Sequence, residues 1–175
     1  MDLRIQEMLD HYEIRRTLAE YCHACDRADP TLMSAVYTGD DSFDDHGHVK
    51  APGPEYARIM TGLILERTEA ISHVLGQSLI KVEGDSAVAE TFFIAFMRLT
   101  GEQGIPPRMN QLVGRFVDRL ERIDGKWKIR HRICVRDTSM TQIVERDDYA
   151  AYGFVEGTRD SRDPGGAVLG IAHRS

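Results

Sequence analysis

Two residues in this chain sit where chemistry would need them and packing alone would not put them. Leu18, Cys22, Cys25 and Asp26 fall at i, i+4, i+7 and i+8, so one apolar helix face carries a carboxylate. An unpaired buried carboxylate costs too much to keep, so Asp26 requires a partner. Ile71, His73 and Leu75 alternate along a strand, which points the imidazole to the same side as its aliphatic neighbours. An imidazole bonded to a buried carboxylate is held in one tautomer and its protonated form is stabilised, as a general base requires. The expectation is that Asp26 and His73 meet, directly or through one water. The chemistry is then proton abstraction beside a carbonyl, leading to β-elimination or isomerisation. Two plainer readings compete: Asp26 as a helix terminus, and His73 as a satisfied core histidine. The first is weakened because Asp29-Pro30 already supplies an N-cap and a first helical residue for the next helix.

Other residues with chemical potential read more plainly. Cys22 and Cys25 spell C-x-x-C, but inside a helix rather than at its N-terminus, so they read as core filling. Asp44, Asp45, His46 and His48 have metal-ligand side chains, yet one H-x-H without a second cluster reads as a solvated loop, and no metal is expected. Arg115, Arg119, Arg122, Arg130, Arg132 and Arg136 make the last hairpin basic, most of them to be ion-paired. Arg132 or Arg136 could stabilise an enolate or a departing group. Those of Phe92, Phe96, Met97, Phe116 and Trp127 that face inward would line an apolar pocket for a ring-shaped substrate.

The elements that must position these groups follow from periodicity. Residues 3–28 read as one long or once-broken helix, with Ile5, Met8, Leu9 and Tyr12 opening its apolar stripe. Pro30 opens a short second helix and Gly53-Pro54 a third, with a polar loop or short edge strand between them. From Ile71 the pattern alternates as a strand. Gly76 marks a bulge, after which Ile80 and Val82 carry the apolar side on the other parity. Residues 87–99 are apolar on both faces, which suits a strand covered by helices on one side and another subunit on the other. Two long strands joined at Asp124-Gly125 complete a four-stranded meander. Helices followed by a meander give an α+β fold whose curved sheet wraps the helices around a cavity. Residues 1–140 form this domain, and 141–175 an extension that is partly mobile or docked on a neighbouring subunit.

Composition narrows the partners. With 22 Lys+Arg against 28 Asp+Glu the chain carries a formal charge of −6, which argues against nucleic acid. No apolar run approaches membrane-spanning length. Three cysteines and no apolar leader imply a cytoplasmic protein with reduced thiols.

The order of elements, Asp26 near the end of helix one, His73 in the first meander strand and the closing DGKWKIRHR hairpin together resemble the SnoaL-like branch of the nuclear transport factor 2-like superfamily, over about residues 5–140. The nearest pattern is the group containing scytalone dehydratase, bile acid dehydratase and hexachlorocyclohexane dehydrochlorinase. The resemblance implies a cone-shaped α+β barrel and a cofactor-independent lyase for a hydrophobic cyclic small molecule. It also implies a trimer, with Asp26 and His73 facing each other across the cone. By the same resemblance Arg132 matches an arginine after the final Trp-Lys, and Tyr21 a pocket tyrosine. On this reading Arg132→Met should abolish turnover with little change in stability. The superfamily also holds ketosteroid isomerase-like proton shuttles and the non-catalytic small subunits of ring-hydroxylating dioxygenases. Fold alone does not choose among these.

Overall fold

The computed structural model describes residues 2–101, 105–144 and 149–170. Part of the expected Gly/Pro loop, and residues 145–148 and 171–175 of the expected extension, lie outside them. Three helices lead: α1 (Leu3–Asp26), α2 (Pro30–Ala35) and α3 (Gly53–Arg67). Two short strands, β1 (Phe43–Asp45) and β2 (Lys50–Ala51), separate α2 from α3. The meander then runs β3 (Thr68–Glu83), β4 (Ser86–Leu99), β5 (Arg108–Ile123) and β6 (Lys126–Ile143). They form one curved, unclosed sheet in the order β2-β1-β6-β5-β4-β3, antiparallel except where β1 runs parallel to β6. This is the α+β architecture read from the periodicities.

Helix α1 starts on Asp2, whose side chain accepts from the Arg4 N–H, and ends in a Schellman arrangement. The Asp29 N–H reaches the Ala24 carbonyl and the Ala28 N–H reaches that of Cys25. Ala28 occupies the left-handed position with φ 51°, where a Cβ costs about 1 kcal/mol relative to glycine. It is also fully buried, so its methyl packs in the core. Asp29 then caps α2, accepting from the Thr31 and Leu32 N–H groups, with Pro30 at the first helical position. The turn from α1 into α2 is thus built directly after Asp26.

The buried face of α1 is Asp10, Ile14, Thr17, Leu18, Tyr21, Cys22, Ala24 and Cys25. The expected opening stripe, Ile5, Met8, Leu9 and Tyr12, is exposed instead. The inward phase is set by Asp10, which is buried because it has partners: Trp127 Nε1 donates to it at 3.3 Å and Arg122 pairs with it at 2.8 Å. A polar residue with partners displaced an apolar stripe that lacked a sheet to cover it.

In the sheet, β4 turns Ala87, Ala89, Thr91, Phe93 and Ala95 inward, and β5 turns Gly114, Phe116, Asp118 and Leu120 inward. Gly114 has no room for a side chain, since a Cβ there would strike the Val135 carbonyl and the Phe93 ring. β3 keeps Ile71, His73 and Leu75 on the inner side, then slips one residue between Leu75 and Ser78. Below the slip Ser78, Ile80 and Val82 face inward, as the bulge at Gly76 anticipated.

The helical segment α4 (Pro164–Leu169) closes the described chain. The stretch before it folds back on its own domain: Arg159 donates to the carbonyls of Asp26 (3.3 Å) and Thr68 (2.8 Å), and Arg27 pairs with Asp163 at 3.4 Å.

Candidate active site

Asp26 is the last residue of α1, and β3 is the free edge of the sheet, so its outward N–H groups have no strand partner. Asp26 fills one of these openings. Its Oδ2 accepts the His73 backbone N–H at 3.1 Å and its Oδ1 lies 2.6 Å from His73 Nδ1. With Nδ1–H donating to the carboxylate, Nε2 carries the lone pair. The His73 side chain is 8 % and that of Asp26 20 % exposed, which leaves the pair sheltered but reachable. The tail's Arg159, bonded to the Asp26 carbonyl, braces this end of α1.

From His73 an aromatic floor runs across the sheet. The His73 ring is 5.9 Å from Phe93, which stacks on Phe116 with centroids 4.2 Å apart and planes 13° from parallel. Beyond Phe116 lies Arg132, fully buried and bidentate on the equally buried Asp118 at 2.7 and 2.9 Å. Its guanidinium lies against both the Tyr21 and the Phe116 ring, 4.2 and 4.1 Å from their centroids, the two rings being edge-on to each other. Burial acts to discharge it, but Asp118 outweighs burial and holds its pKa well above the usual value. Nη1 has no hydrogen-bond partner among the described residues.

The loop read as solvated is instead a second polar centre. Asp44 on β1 pairs in register with Arg132 on β6 and is wholly buried. It accepts from the Tyr37 hydroxyl and from His46 Nδ1. His46 Nε2 lies 3.4 Å from the Tyr21 hydroxyl, itself 2.9 Å from that of Tyr56. Burial lowers the His46 pKa, yet Asp44 with a smaller contribution from Cys134 overrides it and raises the value to about 9. The three phenols are pushed well above their ordinary range, first by burial and then chiefly by neighbouring negative groups, so they are neutral donors. Asp45 and His48 take no part: Asp45 pairs with Lys50 at 2.8 Å and His48 is exposed. Among the described residues no three His, Cys, Asp or Glu side chains are arranged to hold a metal.

His46 has a folded-state pKa of about 9 against an ordinary 6.5. Its charged pairing with Asp44 therefore stabilises the fold fully below about pH 6.5 and is lost as pH rises through 9. Melting temperature should decline across that window in the wild type, and His46→Gln should flatten the decline. A wild-type melting temperature flat from pH 6.5 to 9.5 would refute a charged His46.

The remaining expected residues divide. Tyr21 and Phe116 join the interior around Arg132. Phe92 and Phe96 lie on the outer face of β4, Phe92 under Arg115 at 5.9 Å. Trp127 is buried at the other end of α1, beneath Arg122 at 4.5 Å, with its carbonyl accepting from Thr17. Arg136 is exposed. Arg115, Arg122 and Arg130 are ion-paired, as the basic hairpin suggested. Surface grooves of about 310 to 560 Å³ involve the rim and outer face of the sheet or the α1–α2 surface, and their linings hold neither histidine pair.

A helix-filled, curved and open sheet with polar pairs on its inner side defines a nuclear transport factor 2-like α+β cone. The model of the SnoaL-like domain matches residues 6–133, and the chain belongs to that family. A scytalone dehydratase-like protein of Novosphingobium aromaticivorans shares 21% identity, with a TM-score of 0.67, over 79% of this chain and 91% of its own. A hexachlorocyclohexane dehydrochlorinase of Novosphingobium barchaimii superposes with a TM-score of 0.70 at 14% identity, covering 82% of this chain and 99% of its own. A protein described as an aromatic ring hydroxylase of N. aromaticivorans gives 0.68 at 19%, covering 77% and 94%. No curated protein matches the chain. Among the described residues no helix is long and apolar enough to cross a membrane.

Proposed function

We propose that the protein is a cofactor-independent lyase that removes a proton from a hydrophobic cyclic carbonyl compound and expels a β-substituent. The observation that carries this reading is the clamp of Asp26 on both the ring and the backbone of His73. The carboxylate fixes one tautomer, stabilises the imidazolium formed on proton uptake, and leaves Nε2 as the base. The stacked Phe93 and Phe116 make the buried surroundings of His73 apolar and aromatic. The unpartnered Nη1–H of Arg132, in a charged and rigidly held guanidinium, supplies a donor for the developing enolate. The likeness to a dehydratase-like protein and a dehydrochlorinase is in keeping with this chemistry. The test is deuterium uptake beside the carbonyl of cyclic ketones incubated with the protein in D2O. Uptake in the wild type and its loss in His73→Ala are expected; no uptake by the wild type would favour a non-catalytic binding module.

The working form is proposed to be a trimer, formed through the outer face of β4. Val88 and Phe96 are exposed there, and Leu79, Val117 and Ile133 border Val88 in a groove of about 410 Å³. Val88→Glu should shift the mass measured by light scattering to a smaller species. A wild-type monomer at micromolar concentration would count against the assembly.

A further inference from the structure

We propose that Cys134, with His46 and Asp44 beside it, is a nucleophilic thiol site that captures a cyclic α,β-unsaturated ketone as a thioether, an activity separate from the elimination assigned to His73. The register of the sheet brings the three residues together. β1 runs parallel to β6 with Asp44 opposite Arg132 and Asp45 opposite Ile133, so one step further His46 falls beside Cys134. Side chains alternate along a strand, so Cys134 shares the inner side with buried Arg132 while Ile133 is exposed on the other. The imidazole thus stands between a carboxylate and a thiol and is hydrogen-bonded to both.

Access and charge single out this cysteine among the three. Cys22 and Cys25 are buried on α1. Burial pushes the Cys22 thiol up to about 12 and the Cys25 thiol well above its ordinary value, which leaves both inert. Cys134 is only partly buried, and the His46 side chain keeps 16 % of its surface. β1 ends at Asp45, so among the described residues no strand pairs with that edge of β6 beyond Ile133. His46 is a cation at neutral pH, with a pKa of about 9. Its other neighbours do not cancel that charge: Asp44 holds it, Tyr21, Tyr37 and Tyr56 are neutral phenols, and Asp118 balances Arg132. The thiolate is the attacking form of cysteine, and a cation at its side favours it.

A second, independent feature points to the ligand. Arg132 is fully buried, and its Nε and Nη2 are both on Asp118 of β5. Nη1 is the corner turned away from β5, toward the side of β6 where Asp44 and His46 lie, and it has no hydrogen-bond partner among the described residues. Buried donors are seldom left unpaired, and a ligand oxygen would complete this one. Phe116, the register partner of Cys134, makes the surroundings apolar. A conjugated cyclic ketone combines the three requirements: an electrophilic carbon for sulfur, an oxygen for Nη1 and an apolar ring.

The step balances without oxidant or reductant. The Cys134 proton passes to solvent, and a sulfur electron pair forms the S–C bond at the β-carbon. The C=C pair shifts toward the carbonyl, whose oxygen gathers charge beside Arg132 Nη1–H, and the α-carbon then takes a proton from solvent. One thiol and one enone give one thioether ketone.

The experiment adds cyclohex-2-enone to the folded protein at neutral pH and reads adducts by intact mass and peptide mapping, with iodoacetamide and free N-acetylcysteine as references. The wild type should gain one enone on Cys134, on the order of tenfold faster than N-acetylcysteine reacts, while Cys22 and Cys25 stay unlabelled. Cys134→Ser should gain none. His46→Gln should slow the labelling of Cys134 on the order of tenfold, with Cys22 and Cys25 still unlabelled. Cys134 left unlabelled, labelled no faster than N-acetylcysteine, or labelled equally fast in His46→Gln would overturn the proposal. Labelling of Cys22 and Cys25 in His46→Gln would reveal a loosened fold, and the wild-type comparison with N-acetylcysteine then decides alone. The ratio of enone to iodoacetamide rates should be higher for Cys134 than for N-acetylcysteine, because charge develops on the enone oxygen and not on that of iodoacetamide. An equal ratio would reject the carbonyl at Nη1 and with it the ligand class. The enone is supplied from outside, so these outcomes and the deuterium-uptake test of His73 succeed or fail separately.

Discussion

His73→Ala should reduce turnover to near background, and Asp26→Asn should reduce it on the order of 10³- to 10⁴-fold, with melting temperatures within a few degrees of the wild type. Asn can still accept the His73 backbone N–H, so the strand edge stays anchored, but the amide presents the wrong partner to Nδ1 and no charge to the imidazolium. The tautomer flips or the base weakens, and either change acts on the same proton transfer. The double variant should therefore be hardly slower than His73→Ala alone. Losses that multiply would show two independent contributions and end the case for a unit. The same panel on deuterium uptake separates the base from later steps, because uptake needs no leaving group.

Arg132→Met should cost about 3–5 kcal/mol of stability, because it strands the Asp118 carboxylate in the core. A domain of this size holds roughly 5–15 kcal/mol in total, so the melting temperature should fall by roughly 10 °C or more. The sequence reading expected turnover to collapse while stability stood still; the buried pair with Asp118 adds a loss of stability to that expectation. Arg132→Met combined with Asp118→Leu removes both charges and should recover most of the lost stability. If Arg132 also holds the substrate through Nη1, the double variant will be folded and still inactive. A double variant that regains turnover along with its melting temperature would make Arg132 purely structural.

The legible parts of the site were those with local periodicity. Asp26 stood out because a helix repeats every 3.6 residues and His73 because a strand repeats every two, and the meander brought the strand to the helix end. Asp44 and His46 had no such signal. The strand that carries Asp44 and ends just before His46 is three residues long and pairs in parallel with residues some ninety positions later, a contact no local pattern encodes. A hint was present in the composition of the buried surfaces: Tyr21, Tyr37, Tyr56 and Arg132 all need polar partners, and the loop at 44–48 held unclaimed ones. The inner face of β4 was ambiguous for a different reason. With aromatics on both sides, hydrophobicity cannot say which side is inside. The small residues Ala87, Ala89 and Ala95 say it, since a helix can approach only the side with short side chains.

The single extra residue between Leu75 and Ser78 has a corollary for anyone redesigning the strand that carries His73. A bulge bends its strand and, by adding one residue, moves the inward side to the other parity beyond it, here to Ser78, Ile80 and Val82. The bend between the half of β3 that carries His73 and the half beyond the shift is therefore set by chain length rather than by side-chain identity. Point substitutions along the floor alter what a ring would touch. A one-residue deletion at Gln77 would straighten the strand, preserve the ladder and every inward side chain, and swing the imidazole away from its carboxylate. Screening libraries that vary side chains but never loop or strand length would leave that coordinate, the tilt of the His73 imidazole, untouched.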